Sequence, residues 1–314
     1  MRKLRMNQGD PTEGRIYFLP HFVAQDRGFF ADEGLEVEFV WAKHGDHLAK
    51  SGQIPAVLSG AADLTVGGPM VTMRMFAEGS AHLVNFGALV AKNPWYLAGR
   101  AAEPGFTLES LAGRTVFDAA SITTSTLSLR HALSQAGLTD TVEVIELAHE
   151  DPEAIADFIA GRGPGGAADV IYHSMHALAP ALAAGELHAL SDLARFTGDV
   201  PWSAYITRAE TLEARRADFA AFAAAIGRAL DWVAATDPEA IAEQVAAYYP
   251  GYPRAALIHG VRAYKDLGLW ATAPVISRAD FERFRTLLIE TGWFEAPVPY
   301  EALVATDVAA GAGA

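Results

Sequence analysis

Residues 18–68 constrain the fold of this chain more strongly than any other segment. Apolar side chains recur at helical spacing over residues 18–30, and this pattern predicts a helix with one apolar face. Over residues 35–39, apolar side chains alternate with glutamates, which is typical of a half-buried strand. A polar loop over residues 43–47 and a short amphipathic helix lead to a second strand, which ends at Gly67. Helix and strand patterns in this order predict an α/β fold.

The second strand stops at two glycines, and a proline follows at position 69. Proline is favoured at the first position of a helix, and free amides at such a helix start can face a ligand. We therefore expect Gly67 and Gly68 to lie at a ligand site, although a plain turn between a strand and a helix explains the same residues.

Length, charge and cysteine content exclude several functions. At 314 residues the chain exceeds the usual size of a single core, so two lobes are expected. Its net charge of −14 argues against a nucleic-acid partner, because phosphate binding requires a basic surface. Cysteine is absent, which excludes disulfides, thiolate catalysis and cysteine metal sites.

The amino-terminal residues 1–7 carry positive charge, but no apolar run follows them. We therefore expect neither a signal peptide nor insertion into a membrane, since no segment approaches the length of a membrane-spanning helix. As the sequence is written, it predicts a cytoplasmic protein. A periplasmic location would require that an export signal has been removed.

Hydroxyl side chains are concentrated just before a predicted helix over residues 127–136. One or two of them suffice to cap a helix, and the others can bind an anion together with the free amides at the helix start. We therefore predict ligand contacts for Ser121, Thr123, Thr124 and Ser125.

Two extended segments, residues 92–100 and 202–207, are suited to carrying the chain from one lobe to the other and back. A series of helices over residues 212–290 is expected to pack on the first lobe. The predicted boundaries are residues 1–96 and 204–314 for the first lobe, and residues 97–203 for the second.

Two short motifs occur in a fixed order in the first lobe. The first consists of Phe22-Val23-Ala24, Gly28-Phe29-Phe30 and Glu33-Gly34-Leu35, and the second of Ser59-Gly60 with Asp63. In this order they resemble the opening of type II periplasmic-binding-protein folds. The resemblance is strongest to the alkanesulfonate, taurine and nitrate binders and to the related thiamine-pyrimidine synthesis proteins. It implies two α/β lobes, a ligand cleft between them and two crossings of the chain.

The chain departs from this family in two respects. Some members use a cysteine nucleophile, and the thiamine-pyrimidine synthases carry a cysteine-rich motif, whereas this chain has no cysteine. Transport receptors of the family are normally exported, whereas we expect no export signal here.

In open α/β sheets a ligand lies beyond the carboxyl ends of the strands, and both lobes of this fold present those ends to one cleft. Five loops are expected to converge there, and they contain five of the ten histidines, His21, His44, His47, His173 and His176. The predicted ligand-binding residues are Pro20, His21, Lys43, His44, His47, Gly67, Gly68, Ser121, Thr123, Thr124, Ser125, Tyr172, His173 and Trp202.

The two histidine pairs, His44 with His47 and His173 with His176, have a spacing that a metal site could use. Neither pair has an acidic third ligand at a convincing spacing, so we predict no metal, and no motif indicates another cofactor. Hydrogen bonding to a polar ligand, acid–base catalysis and simple helix capping remain as roles for these histidines.

Two functions remain open. The first is a solute-binding protein or sensor that closes its lobes around a small anionic or heterocyclic organic molecule, with an ABC permease as partner in the case of transport. The second is a cytoplasmic, cofactor-independent enzyme on the same fold, such as a decarboxylase, a desulfinase-like hydrolase or a ring-modifying enzyme. In that case His21, His44 and His173 are the candidate acid–base residues, because the sequence contains no recognisable activated nucleophile.

Overall fold

A computed structural model describes residues 1–8, 15–41, 54–120, 122–149, 151–295 and 298–309 of the chain. Strands and helices alternate up to residue 208, after which helices predominate. The strands are β1 (Arg2–Asn7), β2 (Leu35–Val40), β3 (Leu64–Gly67), β4 (Leu83–Val90), β5 (Trp95–Gly99), β6 (Thr115–Asp118), β7 (Glu143–Glu146), β8 (Val170–Ser174), β9 (His188–Asp192) and β10 (Ser203–Arg208).

The α-helices are α1 (Leu19–Asp26), α2 (Phe29–Asp32), α3 (Ile54–Leu58), α4 (Pro69–Ala77), α5 (Thr123–Gln135), α6 (Ala154–Ile159), α7 (Met175–Ala183), α8 (Ala194–Thr197), α9 (Ala209–Ala214), α10 (Arg216–Ala235), α11 (Pro238–Val245), α12 (Arg254–Leu267), α13 (Arg278–Glu290), α14 (Tyr300–Leu303) and α15 (Thr306–Ala309). Short 3₁₀ helices span Ile16–Phe18, Leu108–Leu111 and Ala246–Tyr248. Within the described ranges, no helix combines the length and the apolar character needed to cross a bilayer.

The strands form two five-stranded mixed sheets. The first has the order β2-β1-β3-β10-β4, with β10 antiparallel to both of its neighbours. The second has the order β7-β6-β8-β5-β9, with β5 antiparallel to both of its neighbours. The chain passes to the second sheet between β4 and β5 and returns between β9 and β10, so the predicted two α/β lobes with two crossings are confirmed. The exact lobe boundaries stay a prediction.

The local sequence explains how the first lobe begins. In β2, Leu35 and Val37 are buried whereas Glu36 and Glu38 are exposed, because successive side chains of a strand point to opposite faces. Gly28 and Gly34 have φ angles of 72° and 73°, which glycine adopts without steric strain. These two residues therefore allow the tight turns that connect α1, α2 and β2.

β4 is buried at every position although it lies at the edge of the first sheet. C-terminal segments cover it, since Val90 bridges Trp270 and Asn85 bridges Val304. The side chain of Asn85 also donates a hydrogen bond to the carbonyl of Leu303 at 3.0 Å. This cover protects the strand edge from pairing with another chain.

The C-terminal helices were predicted to pack on the first lobe, and α12 and α13 do contact it, through the 3₁₀ helix Ile16–Phe18 and through α4 respectively. Both helices also contact the second lobe. α12 packs against α7, and α13 packs against α5. At Gly260 in α12, a Cβ atom would lie 2.6 Å from Cδ1 of Ile16 and 3.6 Å from Cβ of Ala179. The glycine thus lets α12 fit between a residue of the first lobe and a residue of the second.

We expect Gly260→Leu to lower the free energy of unfolding by about 1–3 kcal/mol, because added methylenes in a closely packed site force their neighbours apart. Ala255→Leu, at an exposed position of the same helix, is the control and should change stability by about 0.5 kcal/mol or less. Urea unfolding followed by circular dichroism measures both. Equal unfolding midpoints for the two variants would contradict the close packing of α12 against both lobes.

Candidate functional site

Segments that follow parallel strands of the two sheets contact each other between the lobes. Ile16, after β1, donates its backbone N–H to Nδ1 of His176, after β8, at 3.3 Å. The hydroxyl of Thr124, after β6, contacts Sδ of Met70, after β3. The carboxyl ends of four strands therefore face one another across an interlobe cleft, which is the usual position of a ligand in open α/β sheets.

Arg15 brings a positive charge into this cleft. It directly precedes Ile16, and its charge contributes to lowering the pKa of both His173 and His176. Its carbonyl accepts a hydrogen bond from the Tyr249 hydroxyl at 3.2 Å, which holds the main chain at this point. The sequence analysis missed Arg15, because a single arginine in a polar stretch forms no pattern.

His173 and His176 are neutral at neutral pH. Burial, followed by the charge of Arg15, lowers the pKa of each imidazole to about 3. Nδ1 of His173 accepts a hydrogen bond from the backbone N–H of Ser174 at 2.7 Å, which assigns the ring proton to Nε2. His173 can therefore donate one hydrogen bond to a ligand, but it is a weak base.

α5 begins at Thr123, four residues before the predicted start, so that start is corrected here. Thr123, Thr124 and Ser125 consequently lie in the first turn of a helix and not in a loop before it. The backbone N–H groups of Thr123 and Thr124 precede the first helical hydrogen bonds, so they have no acceptor within the helix. Together with the helix dipole, such groups favour an anion at this end of α5.

Several hydroxyls near the start of α5 donate hydrogen bonds to other groups of the second lobe. Ser125 donates to the carbonyl of Ile122 at 2.8 Å, and Thr126 donates to Oδ2 of Asp118 at 2.6 Å. The other carboxyl oxygen of Asp118 accepts from the backbone N–H of Ala120 at 3.2 Å. Burial raises the pKa of Asp118 to about 6. This carboxyl therefore fixes the turn that leads from β6 into α5.

Among the described residues of this turn, Thr123 and Thr124 do not use their hydroxyls for hydrogen bonds within the second lobe. The hydroxyl of Thr123 makes no hydrogen bond within the described residues, and that of Thr124 faces Met70 of the first lobe. Tyr172 is fully buried and donates to the carbonyl of Ser125 at 3.1 Å. This hydrogen bond supports the first turn of α5. The ligand contacts predicted for Tyr172 and for Ser125 stay predictions.

Gly67, Gly68 and Trp202 lie at the return crossing. Gly67 pairs with Ala204 of β10, and a Cβ atom on Gly68 would lie 3.4 Å from the carbonyl oxygen of Trp202. The Trp202 ring is buried, with its centroid 5.2 Å from that of Trp95. Trp202 therefore packs against Trp95, and its predicted contact with a ligand stays a prediction.

Pro20 and His21 lie in the first turn of α1, where both are buried. Nδ1 of His21 lies 3.4 Å from the Tyr205 hydroxyl, and Nε2 has no hydrogen-bond partner within the described residues. Burial lowers the pKa of His21 to about 3. Aromatic rings surround this imidazole, including Phe22 at a centroid distance of 4.5 Å. His21 is thus a neutral residue of the first-lobe core.

Four predicted site residues, Lys43, His44, His47 and Ser121, lie outside the described residues. In the part of the chain that the structure describes, no three histidine, aspartate or glutamate side chains converge as a metal site would require. The described cleft therefore combines one arginine, neutral imidazole and the amino-terminal end of a helix. This arrangement can bind an anion through charge-assisted hydrogen bonds.

Known proteins of similar sequence and fold agree with this architecture. The chain is 21% identical over 296 residues to YtlA, a binding protein of Bacillus subtilis (strain 168), covering 94% of this chain and 86% of YtlA. A protein of Bordetella bronchiseptica RB50 has a similar structure, with a TM-score of 0.74 and 20% identity, covering 99% of this chain and 97% of that one.

The periplasmic aliphatic sulphonate binding protein SsuA of Escherichia coli also has this fold. Its TM-score is 0.71 at 19% identity, and the match covers 95% of each chain. The family described as "NMT1/THI5 like" matches residues 15–241, which is more than half of the 314-residue chain. The family resemblance expected from the two sequence motifs is thereby confirmed, and the chain belongs to the NMT1/THI5-like family.

Proposed function

We propose that this protein binds a small organic anion or an acidic heterocycle in the interlobe cleft, as the solute-binding component of an ABC-type import system or as a sensor. One observation carries the proposal, namely that Arg15 places its charge beside two neutral imidazoles at the contact between the lobes. The amino-terminal end of α5, which belongs to the second lobe, contacts Met70 of the first lobe. Both features stabilise negative charge.

The relatives support this function. YtlA is named as a binding protein, and SsuA of Escherichia coli is named as an aliphatic sulphonate binder. A sulfonate or carboxylate group suits an arginine and a helix start, because its oxygens accept several hydrogen bonds at once. The remainder of the ligand would contact the other walls of the cleft.

The electrostatics of the histidines favour binding over turnover. An efficient general base at neutral pH has a pKa near that pH, whereas His21 and His173 have pKa values lowered to about 3. His21 is also buried in an aromatic environment, and Tyr205 is its one polar side-chain partner in the part of the chain that the structure describes. The enzyme alternative would therefore require a different base from these two.

Transport and sensing differ in their partner and location. Transport requires a permease and a position outside the cytoplasm, whereas sensing requires neither. Subcellular fractionation of the native host distinguishes them.

The binding proposal predicts that Arg15→Gln weakens anion binding by about ten- to a hundredfold, because a hydrogen bond to a charged group contributes about 1.5–3 kcal/mol. Ethanesulfonate, taurine, benzenesulfonate, acetate, benzoate and pyridine-3-carboxylate form the ligand panel, and isothermal titration calorimetry measures each dissociation constant. Arg130→Gln is the control, since Arg130 is an exposed residue of α5 that pairs with Glu146.

Two results would reject the binding proposal. One is that no panel member binds the wild-type protein with a dissociation constant below about 1 mM, which corresponds to roughly 4 kcal/mol of binding free energy. The other is that Arg15→Gln and Arg130→Gln bind the panel equally well. Conversion of a bound panel member to a product, followed by liquid chromatography, would instead favour the enzyme alternative.

We also expect Thr123→Val to weaken binding of the same anions by about tenfold, because it removes a hydroxyl that has no other hydrogen-bond partner within the described residues. Thr139→Val is the matched control, because Thr139 is exposed after α5 and its hydroxyl also makes no hydrogen bond within the described residues. Both variants should unfold at nearly the same urea concentration as the wild type. Unchanged affinity in Thr123→Val would remove this residue from the site.

A pH prediction follows from the burial of His21. Its folded-state pKa is lowered to about 3, so the unfolded chain binds more protons than the folded one between that value and the ordinary pKa of 6.5. Stability is therefore lost as the pH falls through this window. The loss attributable to His21 is about 2 kcal/mol between pH 7 and pH 5.

The test compares the pH dependence of unfolding in the wild type, His21→Phe and His149→Phe. His21→Phe should lose less stability between pH 7 and pH 5 than the other two proteins, because His149 is exposed. The raised pKa of Asp118 acts with the opposite sign in all three proteins, so the difference between them isolates His21. Parallel pH profiles would show that the imidazole of His21 is not buried.

A further inference from the structure

His176 is bound to residues outside its own lobe through three polar groups. Its Nδ1 accepts the backbone N–H of Ile16 at 3.3 Å, and its backbone N–H donates to the Tyr264 hydroxyl at 3.2 Å. Its carbonyl accepts the hydroxyl of Tyr252. The imidazole also stacks on the Tyr252 ring, with a centroid distance of 4.9 Å and an interplanar angle of 13°. The start of α7 is therefore held by both the amino-terminal and the carboxy-terminal parts of the chain.

The contact between His176 and Ile16 supplies a hydrogen-bond acceptor to the start of a 3₁₀ helix in the first lobe. Ile16 is the first residue of a 3₁₀ helix, and an N–H at that position has no acceptor within the helix. Arg15 precedes it in an extended conformation, with φ −99° and ψ 132°, and supplies no side-chain cap. Nδ1 of His176 provides the missing acceptor from across the cleft.

The peptide group between Arg15 and Ile16 is consequently held at both ends. Its nitrogen donates to Nδ1 of His176 at 3.3 Å, and its oxygen accepts from the Tyr249 hydroxyl at 3.2 Å. Fixing the plane of this peptide group restricts ψ of Arg15 and hence the direction in which its side chain leaves the backbone. The Arg15 charge lies close enough to both His173 and His176 to affect their protonation.

The hydrogen bond requires neutral imidazole with its proton on Nε2. Among the described residues, the titratable and charged groups around His176 are Arg15 and His173 in the cleft, and Tyr249, Tyr252 and Tyr264 from the C-terminal segment. None of the tyrosine hydroxyls is ionised at neutral pH, since burial raises the pKa of each. These surroundings maintain the acceptor form of the ring.

We propose that His176 is a positioning residue for ligand binding: by accepting the N–H of Ile16, it fixes the peptide group after Arg15 and directs the guanidinium toward an anion in the cleft. This inference rests on the proposed function, because Arg15 must bind the ligand for its direction to matter. The acceptor at Nδ1 has the positioning role, whereas the ring face that stacks on Tyr252 contributes packing alone.

Two substitutions separate these contributions. His176→Asn retains an acceptor near the place of Nδ1 but loses most of the ring, whereas His176→Phe retains a ring to stack on Tyr252 but loses the acceptor. We expect His176→Phe to weaken binding of the tightest member of the anion panel by about tenfold and His176→Asn to retain affinity within about threefold, since one neutral hydrogen bond is at stake. His149→Phe, at an exposed position, is the control.

A double-mutant cycle tests whether His176 acts through Arg15. If it does, His176→Phe should have no further effect on anion affinity in an Arg15→Gln background, because there is no guanidinium left to direct. Independent effects that multiply in the double variant would overturn the proposal. So would a loss of affinity in His176→Asn equal to that in His176→Phe, which would indicate a packing role.

Amide hydrogen exchange at Ile16, measured by NMR without ligand, supplies a readout that does not depend on binding. The amide should be protected in the wild type and His176→Asn, and should exchange at least about tenfold faster in His176→Phe. Equal exchange rates in all three proteins would overturn the inference even if the anions bind. If the amide behaves as expected but Arg15→Gln binds anions like the wild type, the proposed function fails, and the positioning role fails with it.

Discussion

The hydrogen bond from the Ile16 N–H to Nδ1 of His176 is the contact on which the organisation of the cleft depends. It joins a segment that follows β1 to the start of α7, so it fixes the two lobes relative to each other at the carboxyl ends of their strands. It also places Arg15 beside His173. Burial in this contact keeps the imidazoles neutral, so among the described residues the positive charge of the cleft comes from the Arg15 side chain and the amino-terminal end of α5.

Much of the fold could be predicted because its signals are local. The alternation of apolar residues and glutamates in β2, and the two glycines with positive φ that precede it, depend on a few neighbouring residues. The start of α5 was misplaced because serine and threonine favour caps over helix interiors. A tertiary feature overrides this preference, since Asp118 accepts the Thr126 hydroxyl and Tyr172 donates to the carbonyl of Ser125.

The site could be predicted only where loops follow strands. Such loops do meet between the lobes, as the contact between Met70 and Thr124 illustrates. Arg15 escaped prediction because its proposed role depends on the contact between Ile16 and His176, which are 160 positions apart and leave no periodic pattern in the sequence. The ligand contact predicted for Trp202 stays a prediction, since the structure shows only that its ring packs against Trp95. Tertiary packing, and not residue type, decides how much of an aromatic ring is accessible.

The position of α12 between the lobes restricts how this protein can open. Gly260 brings the helix against Ile16 on one side and Ala179 on the other, so a wide clamshell rotation would separate surfaces that are closely packed. Closely packed helices can move past each other by shear, in which they slide by small amounts. Under the proposed function, a solute would then enter through a sliding of α12 over α7, and the side-chain packing between these two helices would set the rate of solute exchange.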